Sequence, residues 1–439
     1  MKDNGRSWIP LVFMTMVFAP TLVAQSAASQ DPSDSHAPSA QAPDATDEAP
    51  GSVDSVAPQY VPSLDGSGLI PLDRLRKLQL LYGGSFSAIW GSNLTQEPNG
   101  PSGGMFTLNP YIGVQGRGKD AQYVFQYQTT IARATSDMVS SNSFQRASVF
   151  ISGSAPSRWR WSVNADAEHG LDSLRLIAPV DTVAVGEIPG VSPTAAQFRA
   201  NAGTTTLLEG NLGLTYLKSE KDSISVSVGN SYSRLSGLNS DTGVTQASID
   251  YARRLSSRLA VTAIGQFSES YGSISCSSFG TGISLDWQVN EKTFLEVGGG
   301  PQFTSKACSS GPNLSLRAAF GAKISGRSQV YATANRQLAA SYLGPGIWQD
   351  NVSAGYERRI SRVGALNLDF GYAHTSGVGS IGSYRGVYTD ATYSWLLGHG
   401  LESSVSYRYY TGNNNPSSFT SYVVMCSLIW SPHLRAVVR

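Results

Sequence analysis

From Leu314 to Ile324 the chain alternates strictly with a period of two residues. Apolar side chains occupy the even positions, and serine, arginine, alanine, glycine and lysine occupy the odd ones. Successive side chains of an extended chain point to opposite sides, so this pattern predicts a strand with one apolar face. Strands of soluble sheets are about 5–6 residues long, whereas a strand tilted across a bilayer needs about 9–11. The run therefore predicts an apolar face against lipid, with arginine tolerated at Gly321 but not at Phe320.

The same two-faced pattern recurs over most of the chain and predicts eighteen strands. They are 80–90, 105–117, 121–134, 143–155, 158–168, 204–219, 223–235, 244–255, 258–271, 281–289, 293–304, 313–325, 329–337, 347–360, 364–375, 384–397, 401–410 and 419–430. Tyrosine and tryptophan collect near the strand ends, among them Trp90, Trp159 and Trp430. Amphipathic rings at the level of the lipid headgroups are typical of membrane barrels.

The connections between these strands alternate in length. Eight short ones alternate with nine longer ones that are rich in glycine, serine, asparagine and proline, such as 91–104 and 411–418. A barrel threaded through a membrane has tight turns on its periplasmic side and larger loops outside, whereas a soluble sandwich does not sort its loops in this way. An even number of strands beginning with a long loop also predicts that both termini are periplasmic.

Composition agrees with a membrane barrel. Charged residues make up 14% of the 439 residues, against about 25% in an ordinary soluble protein. The N-terminus has a basic start at Lys2 and Arg6, an apolar core from Trp8 to Ala24 and small residues beyond it. This pattern predicts a signal peptide over 1–24. A retained anchor helix is the weaker alternative because two prolines interrupt the run.

The segment 25–63 is rich in alanine, serine and proline, holds six acidic residues and has no lysine or arginine. Such a composition predicts a disordered linker, and it leaves open that the linker binds a periplasmic partner. Residues 64–79 are expected to form a short lead-in to the first barrel strand, with a helix as one option because leucines recur three apart from Leu69. The remaining charge is mildly basic and indicates no nucleic-acid partner.

The stretch Leu80–Trp430 resembles bacterial outer-membrane β-barrels of the porin type. The resemblance implies an all-β fold, a transmembrane antiparallel up-and-down barrel of about 18 strands (16–20 possible), in the cell outer membrane of a Gram-negative bacterium. It further implies contact with outer-membrane lipid and a channel for passive diffusion of small hydrophilic solutes, with a homotrimer left open. The tail 431–439 departs from the pattern, since such barrels usually end on an aromatic residue.

A barrel of this size is expected to enclose an aqueous channel, so the inward side chains should govern selectivity. The predicted pore-lining residues are Arg117, Arg146, Arg160, Asp166, Glu168, Asp250, Glu296, Arg317, Lys323, Glu357, Asp369, Asp390, Glu402 and Arg408. Both signs occur in similar number. That argues against strong ion selectivity unless the signs are separated in space.

The longest connection, 169–203, follows the fifth strand. The resemblance implies that this third loop folds into the lumen as a constriction, with Asp172, Asp181 and Glu187 facing basic wall residues. Its apolar residues from Leu174 to Ile188 would also have to be shielded from water. The alternative is one more hairpin in the wall, which would give twenty strands.

The three cysteines allow a disulfide between Cys276 and Cys308, which lie in consecutive long loops of an exported chain, while Cys426 falls on the lipid face. The histidines are scattered, so we predict no metal site and no cofactor. A pair formed by His374 and Ser376 resembles that of outer-membrane phospholipases but lacks their surrounding pattern. We therefore predict that the chain is not an enzyme, and keep a non-conducting structural or surface barrel as the main alternative.

Overall fold

A computed structural model describes residues 60–62, 69–71, 79–94, 100, 102–118, 120–135, 142–155, 158–171, 204–236, 240–272, 275–305, 312–341, 344–375, 384–414 and 417–431. The predicted signal peptide, nearly all of the predicted linker, the segment 172–203 and most of the tail lie outside these ranges. No helix in the described part of the chain is long and apolar enough to cross a membrane.

Twenty strands run through the described ranges. The first two are β1 (Tyr60–Pro62) and β2 (Leu69–Pro71). The next nine are β3 (Gln79–Ser92), β4 (Gly103–Arg117), β5 (Ala121–Ala134), β6 (Asn142–Ala155), β7 (Trp159–Leu171), β8 (Thr204–Leu217), β9 (Asp222–Leu235), β10 (Ser240–Ser256) and β11 (Leu259–Gly272). The last nine are β12 (Cys276–Asn290), β13 (Thr293–Thr304), β14 (Pro312–Ser325), β15 (Ser328–Ser341), β16 (Gly344–Arg359), β17 (Gly364–Thr375), β18 (Tyr384–Gly398), β19 (Leu401–Asn414) and β20 (Ser417–Trp430).

Strands β3 to β20 form one closed antiparallel barrel in which every strand pairs with its neighbours in the chain. The barrel closes where β20 pairs with β3, with Trp430 opposite Gly84 and Tyr422 opposite Ser92. Closure leaves no free sheet edge, which a sheet in hydrocarbon requires because lipid cannot satisfy backbone groups. The eighteen predicted strands are confirmed.

The direct pairing of β7 with β8 decides how the long connection 172–203 enters the fold. Leu171, the last residue of β7, lies opposite Thr204, the first residue of β8. No strand stands between them in the wall, which rules out the alternative of one more hairpin here and a total of twenty barrel strands. The two residues that flank the segment, Leu171 and Thr204, thus lie side by side at one rim.

The two faces of β14 match the alternation in its sequence. Leu314, Leu316 and Ile324 expose 50%, 49% and 63% of their surface on the outer face, while Ala319 on the other face exposes 7%. Large apolar side chains are exposed in the same way on strands around the whole barrel. A soluble protein rarely exposes so extensive an apolar surface. Facing outward from a closed barrel, it is the lipid-contacting band expected of a membrane protein.

Aromatic pairs stand on this outer face near both rims. Tyr82 and Trp430 lie 5.8 Å apart, and Trp159 and Tyr216 lie 4.7 Å apart, at the rim that carries the short turns. At the opposite rim Trp90 lies 6.4 Å from Tyr422. We call these the short-turn rim and the long-loop rim. Rings at both levels form the two girdles predicted from the sequence.

Several strands are longer than their sequences predicted. The predicted loop 411–418 is largely strand, because Asn413 pairs with Ser418 and Asn414 pairs with Ser417. The β15–β16 connection likewise shrinks to residues 342–343. Backbone pairing continues past the hydrocarbon whether or not the side chains are polar, so the alternation of long and short connections is less strict than predicted.

The lead-in also differs from the prediction. Leu69–Pro71 forms a strand, not a helix, and pairs with Tyr60–Pro62, which falls within the segment predicted to be disordered. Residues 72–78 are outside the described part of the chain.

Candidate functional site

The inner face of the barrel carries the polar side chains. Cross-strand partners share a face, so the register traces that face from strand to strand. Gln128, Arg146 and Glu168 are successive partners on β5, β6 and β7.

The predicted pore-lining residues fall at inner-face positions. Those with described side chains are Arg146, Arg160, Asp166, Glu168, Asp250, Glu296, Arg317, Lys323, Glu357, Asp369, Asp390, Glu402 and Arg408. Arg117 ends β4 on the inner parity, and its side chain lies outside the described part. The structure thus brings these residues to one face, and their role in transport stays a prediction.

The first of three charged groups, the Arg146 cluster, spans β6, β7 and β8. Nη2 of Arg146 lies 2.9 Å from Oδ2 of Asp166, and its Nε lies 3.4 Å from Oε1 of Glu168. Glu209 is the cross-strand partner of Asp166 and adds a third carboxylate. All three side chains of the ion pairs keep between 10% and 17% of their surface exposed.

The Arg317 cluster spans β10 to β14. Arg317 forms an ion pair with Glu296 and donates from Nη2 to Oγ of Ser284 over 3.4 Å. Asp286 is the cross-strand partner of Glu296. Asp250, four strands away on β10, also lies within the electrostatic reach of Arg317.

The Arg408 cluster spans β15 to β19. Arg408 forms an ion pair with Asp390, whose cross-strand partner is Asp369. The hydroxyl of Tyr331 donates to Asp369, and Glu357 adds a third carboxylate within electrostatic reach of Asp369. Each of the three clusters therefore joins one arginine to three carboxylates.

Three members of these clusters are absent from the sequence prediction. Glu209 lies in a strand whose alternation is blurred by paired leucines, "TLLEGNL". Asp286 stands between the apolar residues Leu285 and Trp287, so the alternation could have placed it on the inner face. Tyr331 stands at an inner position where an aromatic residue gives no signal of its hydrogen bond to Asp369.

Four basic side chains outside the clusters lie near the short-turn rim. Arg160, Arg254, Lys323 and Arg359 occupy inner positions within three residues of the strand ends at the short-turn rim. Glu402 stands at the same level on β19. Glu357 and Glu296 lie as near to this rim, two residues from the end of β16 and three from the start of β13, so both signs occur at this level.

The barrel is not round. Cα atoms of β10 come within 8 Å of Cα atoms of β15 and β16, and β16 approaches β11 and β12 in the same way. Small polar residues fill this contact, for example Ser284 and Ser353, each 1% exposed, and Asn351, 3% exposed. In this sector side chains from opposite parts of the wall lie close together, so the cross-section is smaller than that of a round eighteen-stranded barrel.

An apolar group lies on the inner face near the long-loop rim. It comprises Ile89, Leu94, Met105, Ala132, Phe144, Val423 and Met425, all buried. The alternation in the sequence could not predict this group, because β3, β4 and β20 are apolar on both faces there, as in "YVVMCSLIW".

The remaining predicted sites divide between described and undescribed residues. Asp172, Asp181 and Glu187 lie outside the described part of the chain, as do Cys308 and Ser376. Cys276 is disulfide-bonded, and Cys426 is a free thiol on the outer face, as its parity predicted.

His374 lies on the outer face at the long-loop rim, where its Nδ1 is 3.3 Å from Oδ2 of Asp350. Arg336 approaches the same carboxylate within 3.5 Å. Among the residues with a described position, no group of three or more histidine, cysteine or acidic side chains fits a metal ion.

A closed barrel with an apolar band outside and ionisable side chains inside matches one class of membrane protein. The chain is an outer-membrane β-barrel of porin-type architecture. No protein-family model matches it, and no curated protein matches it.

Solved structures of other outer-membrane barrels show distant similarity. The barrel is similar to OccAB4 from Acinetobacter baumannii, with 8% identity, a TM-score of 0.46, and coverage of 82% of this chain and 100% of that chain. It is also similar to the outer membrane protein opdK from Pseudomonas aeruginosa, with 7% identity, a TM-score of 0.44, and coverage of 81% of this chain and 100% of that chain. For the siderophore receptor PirA from Pseudomonas aeruginosa the identity is 11%, the TM-score is 0.43, and 82% of each chain is covered. The assignment rests on the closure and the two faces of the barrel itself.

Proposed function

We propose that this barrel is a channel for the passive diffusion of small hydrophilic solutes. The observation that carries the proposal is the inner face of a closed eighteen-stranded barrel, on which polar and charged side chains line most of the strands. Barrels of about 16–18 strands leave an aqueous channel.

The exposure of the inner arginines supports a hydrated lumen. The side chains of Arg317 and Arg408 keep 28% and 26% of their surface accessible on the inner face. A charged group taken out of water without full compensation costs several kcal/mol or more. Accessible guanidinium groups at mid-height are therefore best accounted for by water in the space beside them.

The cross-section of the lumen is smaller than it would be in a round barrel of eighteen strands. The approach of β10 to β15 and β16 removes part of the cross-section. The segment 172–203 joins adjacent strands at one rim, and its 32 residues are far more than that short span needs. We propose, as the resemblance to porin-type barrels implies, that it folds inward and narrows the lumen further, which would restrict passage to small solutes.

Swelling of proteoliposomes tests the proposal. The purified full chain in vesicles should allow swelling in arabinose faster than in sucrose, and in a polymeric dextran not at all, since only small solutes pass. Vesicles prepared with heat-denatured protein are the control. Folded protein that gives no swelling in any sugar would reject diffusion.

A non-conducting structural barrel is the second candidate. The self-filled sector between β10 and β16 and the inner apolar group favour it, because both replace water by packed side chains. The swelling assay separates the two candidates directly.

A further inference from the structure

We propose that the acidic segment 25–59 of this chain docks on a basic surface at the short-turn rim of its own barrel. The surface consists of exposed lysine and arginine side chains in the short turns. Docking here is a property of the folded chain in either candidate function, so it does not depend on whether the barrel conducts.

A basic residue stands in each of six consecutive short turns, from the β6–β7 turn to the β16–β17 turn. All six side chains are exposed, and none forms an ion pair with the described part of the chain. We call them the basic arc, and they are Arg158, Lys221, Arg258, Lys292, Arg327 and Arg362. The acidic residues of the short turns are fewer, namely Asp120, Glu220 and Glu291.

The connections at the opposite rim lack this pattern. Of the nine longer connections in the sequence, only 172–203 and 305–311 contain lysine or arginine. The basic residues are therefore a feature of one rim and not of the loops in general. Because like charges in a row repel one another, an exposed basic arc attracts an anionic partner.

The segment 25–59 has the composition of such a partner. It carries six acidic residues between Asp31 and Asp54, and it has no lysine or arginine. A single exposed ion pair stabilises little. Several pairs on one tethered segment act together, because the tether keeps the segment at a high effective concentration near the arc.

The chain enters the barrel at the rim that carries the arc. β3 begins at Gln79, which lies opposite Gln115 near the end of β4 and the first short turn. Tyr60 pairs with Pro71, so only the residues 72–78 separate the acidic segment from β3. Seven extended residues span up to about 25 Å, and a round barrel of eighteen strands is roughly 36 Å across. The acidic segment therefore reaches the far side of the rim with part of its own length.

Anionic lipid headgroups are the competing partner for the arc. They surround the barrel from outside, whereas Arg254 and Arg359 stand on the inner face within three residues of the same turns. Glu357 and Glu402 share this level, so the inner positions extend the arc without making the inner face uniformly basic. A segment that crosses the mouth contacts both groups of arginines, which lipid cannot do. This favours the chain's own acidic segment.

Oxidative cross-linking of the folded full chain in detergent tests the proposal. Ala45→Cys in the segment and Ser257→Cys beside Arg258 form the test pair, in a background with Cys426→Ser. With copper phenanthroline the pair should form a disulfide within one chain, detected by gel migration without reductant and by mass spectrometry. Ala45→Cys combined with Ser236→Cys at the long-loop rim is the matched control and should form none.

The dependence on charge separates docking from a free tether. Neutralising the acids of the segment should slow disulfide formation roughly tenfold, and about 1 M NaCl should do the same, since both remove the attraction between charges. The substitutions are Asp31→Asn, Asp34→Asn, Asp44→Asn, Asp47→Asn, Glu48→Gln and Asp54→Asn. Heat-modifiable gel migration confirms that the barrel folds. An unchanged rate with the neutral segment, or no cross-link with the acidic one, would overturn the proposal.

Two other outcomes would also overturn it by naming another occupant. A disulfide between two chains would assign the arc to a second copy. In vesicles, a cross-link that forms in phosphatidylcholine and is lost with phosphatidylglycerol would assign the arc to anionic lipid headgroups.

Discussion

The ring of Phe294 lies over Gly321 on the inner face of the barrel. The two residues are cross-strand partners on β13 and β14, and a methyl group added to Gly321 would overlap the ring. The same arrangement recurs on the next strands. Tyr331, the other cross-strand partner of Gly321, lies over Gly355, and its hydroxyl donates a hydrogen bond to Asp369. Aromatic rings over glycines fix the register of neighbouring strands.

Gly321→Ala should therefore destabilise the barrel, by about 1–3 kcal/mol, because the new methyl group must displace a packed ring. Gly326→Ala is the matched control, since no atom lies within 4 Å of the added carbon in that turn. The urea midpoint of unfolding, followed by tryptophan fluorescence, measures both. Equal midpoints would contradict the contact. The sequence expectation that Gly321 tolerates arginine is revised accordingly.

Phe320→Arg tests the lipid face. Phe320 exposes 38% of its surface on the outer face of β14, away from the ends of the strand. An arginine at the bilayer midplane of a barrel costs about 2–4 kcal/mol, so the fraction of heat-modifiable, folded protein should drop. Phe320→Leu should fold like the unaltered chain because lipid adapts to the smaller side chain. A tolerated arginine would mean that this face does not meet lipid.

Cysteine labelling tests the orientation in the membrane. We expect Ser236→Cys at the long-loop rim to react with an impermeant maleimide in intact cells, in a background with Cys426→Ser. Ser257→Cys, equally exposed but at the short-turn rim, should react only after the outer membrane is permeabilised. The reverse pattern would place the long loops in the periplasm.

Cys276 is disulfide-bonded and Cys426 is a free thiol, and we predict that Cys308 is the partner of Cys276. Peptide mapping under non-reducing conditions should recover a Cys276–Cys308 cross-link and an alkylated Cys426. Recovery of Cys308 as an alkylated thiol would reject the pairing and point to a bond between two chains.

The period-two alternation was enough to predict the number of strands, because the residues of each strand, such as β14, alternate between an apolar and a polar face. It could not predict where strands end, since Asn413 and Ser418 pair through their backbones whatever their side chains. Parity placed Asp250 and Arg317 on the inner face, but it could not show that Asp250 lies within electrostatic reach of Arg317, four strands away. The approach of β10 to β16 is a property of the whole wall and leaves no local signal.

Single-channel recording on the purified full chain tests the central claim most directly. In symmetrical KCl, folded protein added to a planar bilayer should give discrete conductance steps of one main size, and deletion of Leu174–Ile188 should enlarge them if that segment narrows the lumen. Heat-denatured protein should give none. A bilayer that stays silent with protein shown to be folded by its gel migration would contradict the claim that this barrel is a channel.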